Sequence, residues 1–159
     1  MTHNKKRAVM AALMLALMGA APALMANPAA EPVSQAVQDK PFAVARVALQ
    51  ISDGGGDKQQ LLLNVASNLL KFYGADKVDI EVVAFGPGLR LLFKNNALAD
   101  QVQSLSAEGV RFSACDNTLA AMTKILGHTP ELSPVARIVP AGIVRLVELN
   151  KAGYFVSRP

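Results

Sequence analysis

The residue with the most evident chemistry is Cys115, the only cysteine in the chain. It follows the short apolar stretch Val110–Ala114 and precedes a segment with helical spacing, so it lies at a predicted strand-to-helix junction. The first N–H groups of a helix have no partner within the helix, and the peptide dipoles place partial positive charge there. A thiolate is favoured at such a position, and the thiol pKa falls below its free value of about 8.5. Free cysteine is also among the most buried residue types, so a packing role is the alternative.

The N-terminal segment predicts export. Basic residues at 5–7 precede the uncharged apolar run Ala8–Ala20, and alanines suited to cleavage follow. This order is typical of a secretory signal peptide, which we assign to residues 1–26, with a leader that ends at Ala23 as the alternative. A membrane anchor is the competing interpretation, but Gly19 and Pro22 interrupt a run that is shorter than the roughly 20 residues needed to span a bilayer. We therefore expect a periplasmic protein that is not attached to the membrane after cleavage.

Composition argues against several classes of function. Loss of the three leader cations lowers the formal net charge from +4 to +1, so the basic character belongs largely to the leader. No basic cluster remains, tryptophan is absent and aromatic residues are few, so nucleic-acid binding is not expected. His128 and Cys115 are too few soft ligands for a zinc site, and the glycines at 54–56 lack the spacing of a dinucleotide-binding loop. We therefore expect no metal and no cofactor.

Residues 27–40 are polar and lack periodicity, which predicts a flexible arm, and residues 41–159 are expected to form one domain. Valine-rich runs alternate in this domain with amphipathic segments, so strands and helices are expected to alternate. The predicted strands are Phe42–Ile51, Lys77–Phe85, Val110–Ala114, Val135–Val139 and Tyr154–Ser157. The predicted helices are Asp57–Tyr73, Leu89–Asn95 with Leu98–Ala107, a helix capped by Asp116 or Asn117 and ended by Gly127, and Pro140–Leu149. Asp57 and Gln60 have the spacing of a capping box.

Alternating strands and helices imply right-handed crossovers and a parallel sheet covered on both faces. Ligands of such sheets bind outside the carboxyl ends of the strands, which fall here at Ser52–Asp57, Phe85–Arg90, Cys115–Thr118 and Val139–Gly142. Three of these loops contain glycine, which lets backbone N–H groups approach a ligand, although a tight turn is the commoner reason for glycine. Arg90 adds positive charge if it turns inward, and is a solvated residue otherwise. His128 lies a whole helix away from Cys115 and is expected to be solvated.

Five strings of residues carry a family resemblance, namely Val47–Asp53, Asp57–Gln59, Asn64–Leu69, Val83–Gly88 and Gly109–Thr118. In this order they resemble the DsrE/DsrF-like proteins, specifically their exported single-domain branch. The resemblance covers essentially the whole predicted domain. It implies a three-layer α/β/α fold with a mostly parallel five-stranded sheet, and assembly into oligomers such as trimers or hexamers. In cytoplasmic relatives, a cysteine in the corresponding loop carries sulfur as a persulfide and passes it along a relay.

Carried over to this chain, the resemblance makes Cys115 the candidate catalytic residue. The residues that follow it match the start of the next helix, where they are expected to cap the helix and to bring N–H groups near the sulfur. The expected substrate-binding residues are Asp116, Asn117, Thr118, Gly86 and Gly88.

The predicted export distinguishes this chain from the relay proteins, which act in the cytoplasm. A thiol in the periplasm is readily oxidised, and the chain has no second cysteine that could form an internal disulfide with Cys115. Two functions therefore remain open. The first is a sulfur carrier or sulfurtransferase-like protein that holds a persulfide on Cys115 and exchanges sulfur with a relay protein or with small sulfur species. The second is a non-catalytic oligomeric module that binds a small ligand or an anion. Whether the protein is an enzyme stays open with this choice.

Two further expectations concern exposure. Leu89, Leu91, Leu92 and Phe93 are spaced too closely for all of them to face one core, so some are expected between the subunits of a homo-oligomer. The Cys115 thiol is expected to be both acidic and accessible to alkylating reagents.

Overall fold

The computed structural model describes residues 40–159. The predicted signal peptide and all but the last residue of the predicted arm lie outside the described residues. Within residues 40–159, no helix is long and apolar enough to cross a membrane.

The described part of the chain alternates strands with helices, as predicted. The strands are β1 (Ala45–Ile51), β2 (Val78–Ala84), β3 (Arg111–Cys115), β4 (Ala136–Val139) and β5 (Phe155–Ser157). The helices are α1 (Gly56–Tyr73), α2 (Ala99–Ala107), α3 (Asp116–Leu126) and α4 (Gly142–Lys151). A 3₁₀ helix, Gly86–Leu92, stands where the sequence predicted a helix over Leu89–Asn95. It begins earlier than predicted because Pro87 has a backbone angle suited to a first helical turn.

The five strands form one parallel sheet in the order β4-β3-β2-β1-β5. Each step from β1 to β4 moves to the next strand in the same direction, so right-handed crossovers place α1, α2 and α3 on one face. The connection from β4 to β5 returns across the sheet, and it places α4 on the other face. The result is the three-layer α/β/α fold that was expected.

Two hydrophobic clusters hold these layers together. The larger cluster joins one face of the sheet to α1, α2 and α3 through residues such as Leu63, Val102 and Leu119. The smaller cluster joins the opposite face to α4 through residues such as Leu146 and Leu149. The central strand β2 is buried along its whole length, because it has strand neighbours on both sides and helices on both faces.

The predicted helix caps are wrong. Gly55 is the N-cap of α1, no side chain caps that end, and Gln60 donates to Asn64 and Gln101 instead of closing a capping box. Neither Asp116 nor Asn117 is the N-cap of α3. In both cases the observed N-cap lies one or two residues before the polar residue that was expected to be the cap. The prediction that Gly127 ends α3 is confirmed, since this glycine has the left-handed φ of 75°.

The apolar run after Gly88 packs inside the chain. Leu89, Leu91 and Leu92 are fully buried in the larger cluster, and Phe93 is partly buried against it. The expectation that residues of this run lie between subunits is therefore wrong for the three leucines, because the 3₁₀ helix is covered on several sides. Gly88 has a role in this packing, since a Cβ atom there would clash with the carbonyl oxygen of Ile51.

Candidate functional site

The loops that follow β3 and β4 separate to opposite faces of the sheet. The chain leaves β3 at Cys115 and enters α3, whereas it leaves β4 at Val139 and enters α4 on the other face. A crevice between diverging loops at the carboxyl ends of parallel strands is the usual ligand site of an open α/β sheet. The N-termini of α3 and α4 both point into this crevice, and Cys115 lies between them.

Cys115 is buried, with 5% of its surface exposed. The expectation of an accessible thiol is therefore wrong for this conformation. Strand alternation places its side chain on the α4 side of the sheet, in line with Arg111 and Ser113. No side chain closes a conventional cap at the start of α3, so the first N–H groups of the helix remain directed at the sulfur.

The polar surroundings of Cys115 favour its thiolate. Burial by itself raises the pKa of the thiol, but interactions with the Thr118 hydroxyl and with the N–H groups of Gly142, Thr118 and Asn117 outweigh it. The pKa of Cys115 consequently lies below its ordinary value. The direction agrees with the expectation of an acidic thiol, and the helix N-terminus is the shared physical reason.

The Thr118 hydroxyl is oriented by the loop after β2. Its oxygen accepts a hydrogen bond from the N–H group of Gly86 at 3.0 Å. Because that oxygen is already an acceptor, its proton is free to point toward Cys115 Sγ. Gly86 has a φ of 52°, a left-handed angle that glycine adopts without strain. The predicted site residues Gly86 and Thr118 are thus brought together on one side of the sulfur.

Gly142 is a site residue that the sequence analysis did not single out. It is the first residue of α4, and its N–H group acts on the Cys115 sulfur from the opposite side to α3. A Cβ atom at Gly142 would lie 2.8 Å from the ring of Phe85, so the close approach of α4 to the crevice requires glycine here. The signal was present in the glycine of the loop Val139–Gly142, but its role depends on α4 crossing to the opposite face.

A buried ionic cluster fixes α4 beneath the crevice. The Arg145 guanidinium donates to both oxygens of Glu81, from Nε at 2.7 Å and from Nη2 at 2.8 Å. Ser113 donates to the same carboxylate at 2.7 Å. Burial alone raises the pKa of Glu81, but its bonds to Arg145 and Ser113 and the charge of Arg111 bring it below its ordinary value. A two-pronged pair of this kind sets the position of α4 relative to β2 and β3.

The cluster continues away from the crevice. Arg111 Nη1 lies 2.6 Å from Asp79 Oδ1, and the Tyr154 hydroxyl donates to Asp79 Oδ2 at 2.6 Å. Arg111 Nη2 also donates to the phenolic oxygen of Tyr154 at 2.9 Å. Burial and the neighbouring Asp79 carboxylate raise the pKa of Tyr154. The sequence analysis missed this cluster, because its members lie on strands and helices far apart in the chain.

An open groove of about 560 Å³ runs from this site along α3. Asn117 and Thr118, in the first turn of α3, line the end of the groove next to Cys115. The loop after β2 contributes Gly86, Pro87 and Arg90 to the lining. Its remaining wall is formed by apolar residues of α3 and by Phe93. Arg90 is thus one of the residues that line the groove, and its Nη1 atom lies 3.7 Å from the position of a Cβ atom built on Gly54, in the loop after β1. Its side chain adds positive charge at this end of the sheet.

The remaining predicted site residues are less central. Asp116 is exposed at the first turn of α3, and Gly88 is buried in packing and does not line the groove. His128 is exposed in a loop, as expected. Within residues 40–159, no group of three or more His, Cys, Asp or Glu side chains has the arrangement of a metal site.

No family model and no curated protein matches the chain. Among solved structures, it is similar to protein MTH1491 from Methanobacterium thermoautotrophicum, whose structure is described as that of a protein of unknown function. The two are 30% identical with a TM-score of 0.66, and the match covers 72% of this chain and 99% of the other. The MTH1491 structure supports the three-layer fold and carries no statement of activity. The chain belongs to the same protein family as MTH1491.

Proposed function

We propose that the protein is a sulfur carrier that holds sulfur as a persulfide on Cys115. The observation that carries this proposal is the set of polar groups around Sγ, which the N-termini of two helices and one hydroxyl provide from different directions. These groups favour an anion at the sulfur position, which is the thiolate that attacks the donor and again the thiolate that remains when sulfur passes to an acceptor. The resemblance to DsrE/DsrF-like proteins supports the same chemistry.

The transfer needs no oxidant. The Cys115 thiolate attacks the terminal sulfur of a donor R–S–SH, the donor S–S bond breaks as a new S–S bond forms, and RS⁻ leaves. Cys115 then carries –S–SH, and attack by an acceptor thiolate on the terminal sulfur returns the Cys115 thiolate. In the first step the charge moves from Cys115 to the leaving thiolate, and no proton has to be supplied.

An exported chain with one thiol exchanges sulfur with small sulfur species or with a relay protein in the periplasm, and it assembles as a homo-oligomer. The low exposure of Cys115 favours small donors over bulky ones, since only a small molecule reaches Sγ without a rearrangement of the loops.

Intact-mass spectrometry tests this function. The mature protein is incubated with inorganic polysulfide, and we expect the mass of whole sulfur atoms to be added and then removed by a reducing thiol. Cys115→Ser is expected to take up none. Sulfur addition to Cys115→Ser, or a wild-type protein that takes up sulfur only after denaturation, contradicts the proposal.

The low exposure of Cys115 also favours a second function, a non-catalytic module that binds a ligand in the groove. The two functions differ in the reactivity of the native thiol. Alkylation of Cys115 by iodoacetamide without denaturant supports the carrier. Alkylation that requires denaturant leaves the thiol as a packing residue and favours the binding module.

A further inference from the structure

The groove beside Cys115 has apolar walls and one cationic side chain. Its volume of about 560 Å³ falls in the range of sites that hold small organic molecules. The apolar wall is formed by Pro87, Phe93, Ala121, Met122, Ile125 and Leu126. Ile125 is 81% exposed and Leu126 is 50% exposed, so this wall faces solvent with nothing from residues 40–159 covering it.

Arg90 is the only charged residue that lines the groove among the described residues. Its backbone carbonyl accepts hydrogen bonds from Phe93 and Asn96, whereas its guanidinium has no ion pair with a carboxylate of the described part of the chain. The guanidinium is therefore available to an anion from outside, and its planar donors suit a carboxylate.

We infer that the groove binds a small organic carboxylate with an apolar body. The carboxylate pairs with Arg90, and the apolar body lies along α3 over Met122 and Ile125. This inference rests on the proposed carrier function in one respect only, since it then assigns such a carboxylate, bearing a persulfide sulfur, as the donor to Cys115. The sulfur of Cys115 lies outside the groove lining, and the hydroxyl of Thr118, which does line the groove, interacts with it. Inorganic donors such as thiosulfate have no apolar body and make no use of this wall.

Binding is tested without the thiol, so that the result does not depend on sulfur transfer. Cys115→Ser protein is titrated with 4-phenylbutyrate, with its neutral amide, and with acetate, and chemical shifts of α3 are followed by NMR. We expect saturable binding of the carboxylate, affinity lower by about fivefold for the amide, as for one ion pair near a surface, and no binding of acetate.

Variants locate the site. Arg90→Gln in the same background is expected to reduce carboxylate affinity to that of the amide, and Ala121→Phe is expected to abolish binding by filling the groove. Lys124→Gln is the matched control, because it removes one exposed positive charge from α3 outside the groove lining. Equal affinity for carboxylate and amide, or equal loss in Arg90→Gln and Lys124→Gln, overturns the inference.

Sulfur transfer separates this inference from the carrier proposal. In protein that retains Cys115, Ala121→Phe is expected to slow loading from 4-phenylbutyrate that bears a persulfide more strongly than it slows loading from thiosulfate. Failure of both donors to load Cys115, together with intact binding, contradicts the carrier alone. A groove covered by a second copy, seen as a dimer that Ala121→Phe dissociates, overturns the small-molecule inference.

Discussion

At the scale of single residues, the acidity of Cys115 depends on a few named donors. Thr118 contributes its hydroxyl, which the Gly86 N–H group orients. Replacing Thr118 by valine keeps the shape and removes the donor, so the thiol pKa rises. We expect the pH profile of iodoacetamide alkylation to shift to higher pH in Thr118→Val, while the wild-type midpoint lies below that of an unperturbed cysteine thiol.

Thr123→Val is the matched control for this experiment. Thr123 lies on the same helix, but its hydroxyl donates to the Leu119 carbonyl and is not near the sulfur. Its alkylation profile is expected to coincide with that of the wild type. Equal shifts in Thr118→Val and Thr123→Val would show that the helix as a whole, and not the hydroxyl, sets the pKa.

Gly142 provides a second test at this scale. A methyl group at Gly142 meets the ring of Phe85, so Gly142→Ala moves the start of α4 away from Cys115. We expect a loss of about 1–3 kcal/mol in the free energy of unfolding, together with a higher thiol pKa. Gly56→Ala is the control, since Gly56 also begins a helix and has open space around it. The double variant Gly142→Ala, Phe85→Leu relieves the contact and should restore the alkylation profile.

The position of Cys115 between a strand and a helix was predictable from sequence, whereas the full set of groups that contact its sulfur was not. A lone thiol between an apolar run and an amphipathic segment is a local pattern, and so is the glycine of the loop before α4. The contact between Gly142 and Cys115 is non-local, because it depends on α4 packing against the face opposite to α3. The assignment of Asp116 or Asn117 as a cap failed because helix ends are decided by tertiary contacts as well as by side-chain preference.

At the scale of elements, the Glu81–Arg145 pair holds α4 against the sheet. Arg145 lies one turn after Gly142, so the pair fixes the end of the helix that faces the sulfur. Arg145→Met leaves the Glu81 carboxylate buried without its main partner, which costs about 3–5 kcal/mol of unfolding free energy. We also expect the thiol pKa to rise, because the N–H group of Gly142 loses its position.

Denaturation in urea measures the first effect and the alkylation profile measures the second. Arg158→Met is the control, since Arg158 is exposed and its ion pair with Asp53 spans 3.9 Å. That change is expected to cost no more than about 1 kcal/mol and to leave the thiol unaffected. A destabilised Arg145→Met protein whose alkylation profile matches the wild type would restrict the pair to a structural role.

The strands were predicted closely and the 3₁₀ helix less well. Valine-rich runs such as β2 are buried on both faces, and they stand out in the sequence because most of their residues are apolar. The leucines after Gly88 show no regular alternation of apolar and polar residues, because the 3₁₀ helix is enclosed on several sides. The charged residues of β2 and β3 could not be paired from sequence, because Glu81 finds Arg145 on a helix 64 residues later.

At the scale of the whole molecule, assembly stays a prediction, but the residues expected to carry it are different. The leucines once expected between subunits are buried, whereas Ile143, Val144 and Val147 of α4 are each about half exposed or more. Apolar side chains clustered on one outer face favour a symmetric contact between copies. We expect light scattering to give at least two chains, and Val144→Glu to lower that mass. A single-chain mass at micromolar concentration contradicts this prediction, and Ile125→Glu serves as the control on α3.

Stability in acid is the last property that follows from the buried cluster. The pKa of Glu81 is lower in the folded protein than in the unfolded chain, where it is about 4.3. A group with a depressed folded pKa contributes stability above its unfolded pKa and loses that contribution as the pH falls through the folded value. The free energy of unfolding should therefore decline below about pH 4.3 in the wild type. Glu81→Gln should be less stable at neutral pH and lose less on acidification. Urea denaturation from pH 7 to pH 3 measures both slopes, and parallel curves would assign the acid sensitivity to other carboxylates.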